Sequence, residues 1–133
     1  MKSFPMKKLL VAMAVLSAGA AAAQTAPVRK QLLQQDLPAF PVEEVRMDQI
    51  TLAPGQGAPV HHHPGEVYGY IVSGGIIYQP AGAAAVLLHA GDAFREIAGQ
   101  EITQFKNAYA DQPASFVAVY LLKKGQPPII IKK

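Results

Sequence analysis

From residue 41 onward, short apolar runs alternate with glycine and proline residues that recur at short intervals. Helices of ordinary length do not fit between such breaks, whereas short strands do. The segments between the breaks are rich in β-branched and aromatic residues, which favours extended structure. Strands are therefore predicted over 42–52, 67–72, 75–78, 84–88, 94–97, 102–105 and 115–122. A chain of short strands joined by turns is typical of a β-sandwich or a closed jelly-roll barrel.

The first residues have the pattern of a secretory signal peptide. Three lysines precede an uncharged apolar run over residues 9–23, which ends in three alanines before Gln24. Small residues at that point suit a signal peptidase. The run is shorter than the ~20 residues that span a bilayer as a helix. The sequence predicts a cleaved signal over 1–23 and a periplasmic or secreted protein, with a retained N-terminal anchor as the open alternative.

The predicted leader changes the charge balance of the chain. The whole sequence has 12 Lys and Arg against 9 Asp and Glu, a formal net charge of +3, but three of the lysines lie in the leader. The remainder is therefore neutral and carries no basic patch that would indicate nucleic acid binding. We predict an N-terminal arm over 24–40 and a single domain over 41–133, with no membrane span after signal cleavage.

The candidate chemistry lies in a histidine triplet, since three of the four histidines are His61, His62 and His63. In an extended segment His61 and His63 share one face, and His62 points the other way. Two residues along a strand rise ~6.6 Å, so two imidazoles can converge on one ion with bonds of ~2.0–2.1 Å. The chain has no cysteine, so any metal is held by nitrogen and oxygen. A polar surface loop that holds three histidines is the alternative.

The surroundings of the triplet resemble the first motif of the cupin superfamily, G-x5-H-x-H-x3-E-x6-G. Gly55, His61, His63 and Gly74 have the motif's spacing. The resemblance implies a cupin-type double-stranded β-helix, that is, an all-β jelly-roll barrel. It also implies that the chain is similar to small exported cupins described as quercetin-dioxygenase-like, which commonly form homodimers.

The second cupin motif, G-x5-P-x-G-x2-H-x3-N, has a partial counterpart. Gly91 and Gly99 fit its turns, and Asn107 fits its asparagine if one residue is inserted. The proline position is occupied by Ile97. The flanks of the motifs also resemble those of exported single-domain cupins, so the resemblance covers nearly all of the chain after the leader.

The resemblance implies an incomplete metal site. In cupins the metal is usually held by two histidines and a glutamate of the first motif and a histidine of the second. The glutamate position here is Val67, and the second-motif histidine position is Ile102. His61 and His63 therefore form a weak or incomplete site for a divalent ion such as Fe, Mn, Zn or Ni. Glu66 is the candidate third ligand, provided that a register shift turns it inward.

Two functions stay open for the predicted barrel. One is a metal-dependent, dioxygenase-like enzyme. The other is a non-enzymatic module that binds an unidentified small molecule in an apolar pocket without a functional metal. No catalytic residue is identified, and no Ser/His/Asp motif is present. The predicted pocket residues are Val67, Tyr70, Ile102 and Gln104, the last because it has the same strand parity as Ile102. Glu96 is expected at the rim.

Overall fold

The computed structural model describes residues 26–133, so the predicted leader over 1–23 lies outside the described residues. Within this part the regular structure consists of strands only, which confirms the predicted all-β class. The strands are β1 (Glu44–Leu52), β2 (His61–His62), β3 (Val67–Ser73), β4 (Gly75–Pro80), β5 (Val86–His89), β6 (Ala93–Glu96), β7 (Ile102–Asn107), β8 (Ala114–Leu122) and β9 (Ile130–Ile131). Across residues 26–133, no helix is long and apolar enough to cross a membrane.

The strands form two antiparallel sheets that close into a jelly-roll barrel. One sheet has the order β1-β8-β3-β6, and the other has the order β5-β4-β7-β2-β9. Strand β8 is central to the first sheet and pairs with β1 along the full nine residues from Glu44 to Leu52. Its side chains alternate strictly between buried and half-buried, because successive residues of a strand point to opposite faces. The inward face of β8 therefore supplies much of the core.

The core lies between the two sheets and is dominated by aromatic rings. Phe94, Phe105 and Phe116 contact one another with ring centroids 4.8–6.2 Å apart in tilted or edge-on geometry. Such arrangements are favoured over face-to-face stacking by the ring quadrupole. The other buried apolar residues are Leu52, Val67, Ile71, Ile76, Tyr78, Ile102, Ala114, Ala118, Tyr120 and Leu122. A cavity lies in this core beside His61 and His63.

The last glycine of the first motif is required by the turn between β3 and β4. Gly74 has φ +76°, a conformation that side-chain-bearing residues rarely adopt, and a Cβ there would approach the Pro113 carbonyl oxygen to 2.8 Å. Glycine at this motif position is therefore required for steric reasons.

A bulge in β7 accounts for the inserted residue of the second motif. Gln104 pairs with Gln79 of β4, but Ile102 pairs with Pro80, so Thr103 is an extra residue on the β7 side. The extra residue moves the motif's asparagine to position 107. There its buried side chain donates to the carbonyl oxygens of residues 53 and 112 and accepts from the backbone N–H of residue 109. Asn107 thus has a structural role.

The segment before β1 has no regular secondary structure. Residues 26–39 are exposed, including Val28, Leu32 and Leu37. Phe40 is half-buried, and the Lys123 ammonium lies 5.8 Å from the centroid of its ring. The predicted arm over 24–40 is thus described in part, as an exposed segment without regular secondary structure.

Candidate metal centre

Three buried side chains converge at one end of the barrel interior. His61, His63 and Glu96 each offer one candidate ligand atom, and these three atoms lie within 4.8 Å of one another. His61 Nε2 is 4.0 Å from Glu96 Oε2, and His63 Nε2 is in direct contact with the same oxygen. We call these three residues the His-Glu cluster. Each is less than 5% exposed, so the polar groups meet away from bulk water.

Backbone carbonyl groups fix both imidazole rings of the cluster. His61 Nδ1 is 2.7 Å from the Pro59 carbonyl oxygen, and His63 Nδ1 is 2.6 Å from that of Pro128. A carbonyl oxygen only accepts, so in each ring Nδ1 carries the proton and donates it. The neutral rings then present unprotonated Nε2 atoms to the cluster. A histidine that binds metal through one nitrogen and donates from the other has this arrangement.

The carboxylate of the cluster comes from strand β6. Glu96 lies directly opposite Val67 of β3, and both side chains face the barrel interior. The neighbouring strand thus places a carboxylate beside the position where the first cupin motif has its glutamate. The expectation that Glu96 lies at the rim is wrong, because the residue is 3% exposed. The sequence did contain a signal for an inward Glu96. It lies two residues after the apolar Phe94, and residues i and i+2 of a strand share a face.

The structure places Glu66 outside the His-Glu cluster. Its carboxylate accepts a 2.7 Å hydrogen bond from Arg95 Nε and a longer one of 3.4 Å from the Ala98 backbone N–H. No register shift turns the side chain inward, so it keeps the face opposite to that of Val67. Glu66 therefore serves as the partner of Arg95 and does not meet the histidines, which corrects the prediction that it is the third ligand.

The pKa values of the two histidines shift in opposite directions. Burial lowers the pKa of His61, which favours its neutral form. Burial also acts against the charged form of His63, yet the hydrogen bonding and charge of Glu96, together with the Pro128 carbonyl, raise the pKa of His63 above its ordinary value. The pair of His63 and Glu96 therefore attracts a positive charge, either a proton or a metal ion.

The donor atoms of the cluster fit a divalent transition metal. Among residues 26–133, His63 Nε2 is a buried side-chain nitrogen that touches the Glu96 carboxylate but makes no hydrogen bond of regular geometry. In the neutral ring its lone pair faces the lone pairs of that oxygen, which is repulsive unless a cation lies between them. Two imidazoles and one carboxylate suit zinc or iron(II) in particular.

An apolar cavity of about 120 Å³ adjoins the cluster. Its walls come from both sheets, and the lining residues are Ile50, Leu52, Ala58, His61, His63, Val67, Phe94, Glu96, Phe105, Phe116, Ala118, Tyr120 and Ile129. Ile50, Ala58 and Ile129 are the more exposed members, so they mark the side that reaches solvent. The cavity is thus polar at the His-Glu cluster and apolar elsewhere.

The structure places the four predicted pocket residues differently. Val67 lines the cavity. Ile102 is fully buried in the core but is not part of the cavity wall. Tyr70 is 40% exposed on the outer face of the first sheet. The side chain of Gln104 bonds that of Gln79, because the bulge at Thr103 reverses the parity on which the inward prediction relied. Tyr70 and Gln104 are corrections to the predicted pocket.

The C-terminal segment completes the site, which no local sequence pattern indicated. Strand β9 pairs with β2, so that Ile131 lies opposite His61. The same segment supplies the Pro128 carbonyl that orients His63 and the Ile129 side chain that lines the cavity. The contact between residues 63 and 128 spans 65 positions in sequence, which only the folded structure shows.

The comparisons with known proteins agree with this architecture. The cupin domain family model matches residues 49–120. Similar solved structures include the DMSP lyase DddQ from Ruegeria pomeroyi DSS-3 (18% identity, TM-score 0.58, 66% of this chain and 43% of that chain). Oxalate oxidase in complex with glycolate is also similar (24% identity, TM-score 0.56, 65% and 45%). So is an uncharacterized double-stranded β-helix protein from Klebsiella pneumoniae (22% identity, TM-score 0.57, 71% and 80%).

These structural similarities are all below 25% identity and show the fold. The chain matches less than half of the length of the lyase and oxidase chains. No curated protein matches this chain in sequence. The family match, by contrast, covers more than half of the chain and includes the whole His-Glu cluster. The chain therefore belongs to the cupin family.

Proposed function

We propose that this protein is a metal-dependent cupin, in which His61, His63 and Glu96 bind one divalent ion and the adjoining cavity binds a small molecule that reacts there. The observation that carries the proposal is the buried cluster of two imidazole nitrogens and one carboxylate, in which His63 Nε2 is in direct contact with a Glu96 oxygen. Two histidines and one carboxylate with further open positions are typical of iron(II) oxygenases. A dioxygenase-like reaction with iron(II) is therefore the reaction type that the donor set favours.

The residues of the chain have distinct tasks in this proposal. A bound divalent ion supplies Lewis acidity and, when it is iron, reactivity toward oxygen. The Pro59 and Pro128 carbonyl groups hold the two imidazoles in the metal-binding tautomer. Glu96 neutralises one of the two positive charges. The surrounding phenylalanines exclude water, which strengthens every electrostatic interaction inside the cavity.

The similar structures support chemistry on small molecules without fixing the reaction. One of them is a DMSP lyase and another is an oxalate oxidase, so the same fold hosts different reactions. The reaction type for this chain therefore depends on its own site. The combination of a buried donor set and an adjoining apolar cavity favours an enzyme that acts on a small molecule.

A non-enzymatic binding module is the second candidate. It is favoured by the raised pKa of His63, because a proton between His63 and Glu96 stabilises the cluster without any metal. In that case the apolar cavity binds its small molecule in the absence of an ion. The two candidates differ in whether the cluster takes up metal at neutral pH.

Anaerobic equilibrium dialysis of the full chain against Fe(II), Mn(II), Zn(II) or Ni(II), followed by elemental analysis, tests the proposal. We expect close to one ion per chain in the wild type and loss of the ion in His61→Ala. His62→Ala is the matched control, because His62 is the neighbouring imidazole that points away from the cluster. Equal metal uptake by the two variants, or no uptake by the wild type with all four ions, overturns the metal-dependent proposal and leaves the binding module.

Two further proposals come from the sequence and the resemblance. We propose that the protein is exported to the periplasm or beyond, on the leader pattern of residues 1–23, and that it forms a homodimer. The exposed apolar side chains of the arm, such as Val28 and Leu37, support an association between chains. Detection of a shortened chain after export, and light scattering of that product, test the two proposals separately.

A further inference from the structure

The size and walls of the cavity limit what it can bind. Its volume of about 120 Å³ is below the ~300–1,000 Å³ of sites for drug-sized ligands and near the ~150 Å³ of an engineered apolar cavity that takes up benzene. The rings of Phe94, Phe105 and Phe116 and the side chains of Leu52 and Val67 form its walls. The body of the ligand is therefore small and apolar.

The charge at the polar end limits the ligand further. His61 and His63 bind a metal as neutral rings, so a divalent ion with Glu96 leaves one net positive charge in buried surroundings. The cavity lining contains no other acidic or basic side chain. A buried charge without a counter-charge is costly, so a ligand with one negative charge is favoured over a neutral molecule or a dianion.

A charged pair near the cavity leaves the net charge beside the cavity unchanged. Arg46 and Asp48 lie on β1 opposite Tyr120 and Ala118, which line the cavity. Arg46 Nε donates to both carboxylate oxygens of Asp48, at 3.1 and 3.0 Å. The pair is thus neutral as a unit, and the single positive charge of the metal-loaded cluster stays uncompensated.

Tyr120 supplies the one hydroxyl group of the cavity wall. It is 7% exposed on β8, and its ring centroid lies 5.7 Å from that of His63. Among residues 26–133, the tyrosine hydroxyls of positions 68 and 78 donate to Glu66 and to the Arg95 carbonyl, whereas the Tyr120 hydroxyl donates to no protein group and is not fully buried. Burial, with Asp48 and Glu96 nearby, raises the pKa of Tyr120 to about 12, so the group remains a donor at neutral pH.

We propose that the cavity binds a small monocarboxylate with an apolar body, and that the Tyr120 hydroxyl donates a hydrogen bond to its carboxylate group. The inference rests on the proposed metal centre, which supplies the positive charge. A carboxylate fits because it is ionised at neutral pH and has two oxygens, one for the ion and one for Tyr120. The oxalate oxidase structure holds glycolate, whose body is polar. The apolar walls here predict the opposite preference for the body of the acid.

Calorimetric titration of the zinc-loaded full chain tests this inference with three probes. Benzoate has an apolar body and one charge, benzamide has the same body without the charge, and glycolate has the charge without the apolar body. We expect benzoate to bind at least tenfold more tightly than either of the other two. Tyr120→Phe should weaken benzoate binding by roughly 10- to 100-fold, since a hydrogen bond to a charged group is lost, and leave the zinc content unchanged. Tyr70→Phe on the outer face is the matched control.

The outcomes separate this inference from the proposed function. If the chain takes up zinc but binds benzoate no more tightly than benzamide or glycolate, the monocarboxylate inference is overturned and the metal centre stands. If zinc is not taken up, both are overturned. Unchanged benzoate affinity in Tyr120→Phe, or loss of zinc from that variant, overturns the role of Tyr120 in ligand binding.

Discussion

Exchange of the residues at positions 67 and 96 gives a demanding test of the site geometry. Glu96→Val removes the only carboxylate of the His-Glu cluster. Changes to groups behind a metal ligand already reduce affinity by roughly 10- to 100-fold. We expect loss of the ligand itself to weaken zinc binding by more than about 100-fold. The variant should still fold, because an apolar side chain then occupies a buried position beside Phe94.

The second substitution, Val67→Glu, returns a carboxylate from the neighbouring strand. Val67 and Glu96 are directly opposed on β3 and β6, and Cβ atoms of such pairs are ~4.5–5.5 Å apart. A glutamate side chain at position 67 is long enough to span that distance and place its carboxylate at the cluster. The exchange keeps the same two side chains in the core, so the total side-chain volume is conserved. We therefore expect the double variant to bind zinc at least tenfold more tightly than Glu96→Val does.

Competition with a chromophoric zinc chelator measures all three proteins, and thermal unfolding shows that each is folded. Undiminished zinc affinity in Glu96→Val refutes the assignment of Glu96 as a ligand. If the single variant loses zinc and a folded double variant recovers none, the carboxylate cannot act from position 67, and the proposed equivalence of the two opposed positions is refuted.

Three further predictions concern residues around the cluster. Glu66→Gln should lower the unfolding free energy by about 1–3 kcal/mol in chemical denaturation, because the charged hydrogen bond to Arg95 is lost, and should leave zinc affinity within about threefold of the wild type. Deletion of residues 127–133 should weaken zinc binding by roughly 10- to 100-fold, because the acceptor for His63 Nδ1 is removed, as a chelator titration would show; full affinity argues against a role for this segment. Zinc affinity should fall about tenfold per pH unit below the raised pKa of His63, since the ion displaces one proton; a flat profile between pH 5 and 8 contradicts this.

The stability of the metal-free protein has the opposite pH dependence. A group whose pKa is higher in the folded state stabilises the fold fully below its unfolded pKa, and the contribution is lost as the pH rises through the folded pKa. For His63 the window therefore begins near ~6.5 and extends upward. Occupation by metal reverses this dependence, because the ion keeps folded His63 unprotonated while the unfolded chain still takes up a proton below about 6.5.

Much of the fold could be predicted from local sequence signals. The glycine and proline breaks and the apolar runs placed the main strands, and Gly55, His61, His63 and Gly74 identified the family. Local rules sufficed there because strand alternation and tight turns depend on neighbouring residues. The arrangement of His61 and His63 on one face follows from the same alternation.

The third member of the cluster could not be found by motif position. The motif directs attention to Val67 and its neighbour Glu66, whereas the carboxylate lies across the sheet at Glu96. That placement depends on the register between β3 and β6, a long-range property. Gln104 was misplaced for a related reason, since the bulge at Thr103 changes the facing of later residues and has no clear local signature.

Anomalous diffraction from crystals of the metal-loaded protein tests the central claim most directly. With zinc bound and data collected on both sides of its absorption edge, we expect one strong peak within about 2.0–2.2 Å of His61 Nε2, His63 Nε2 and a Glu96 carboxylate oxygen. A peak at Glu66, or at His89 on the surface, would contradict the account. So would the absence of any peak at the His-Glu cluster in crystals grown with excess zinc.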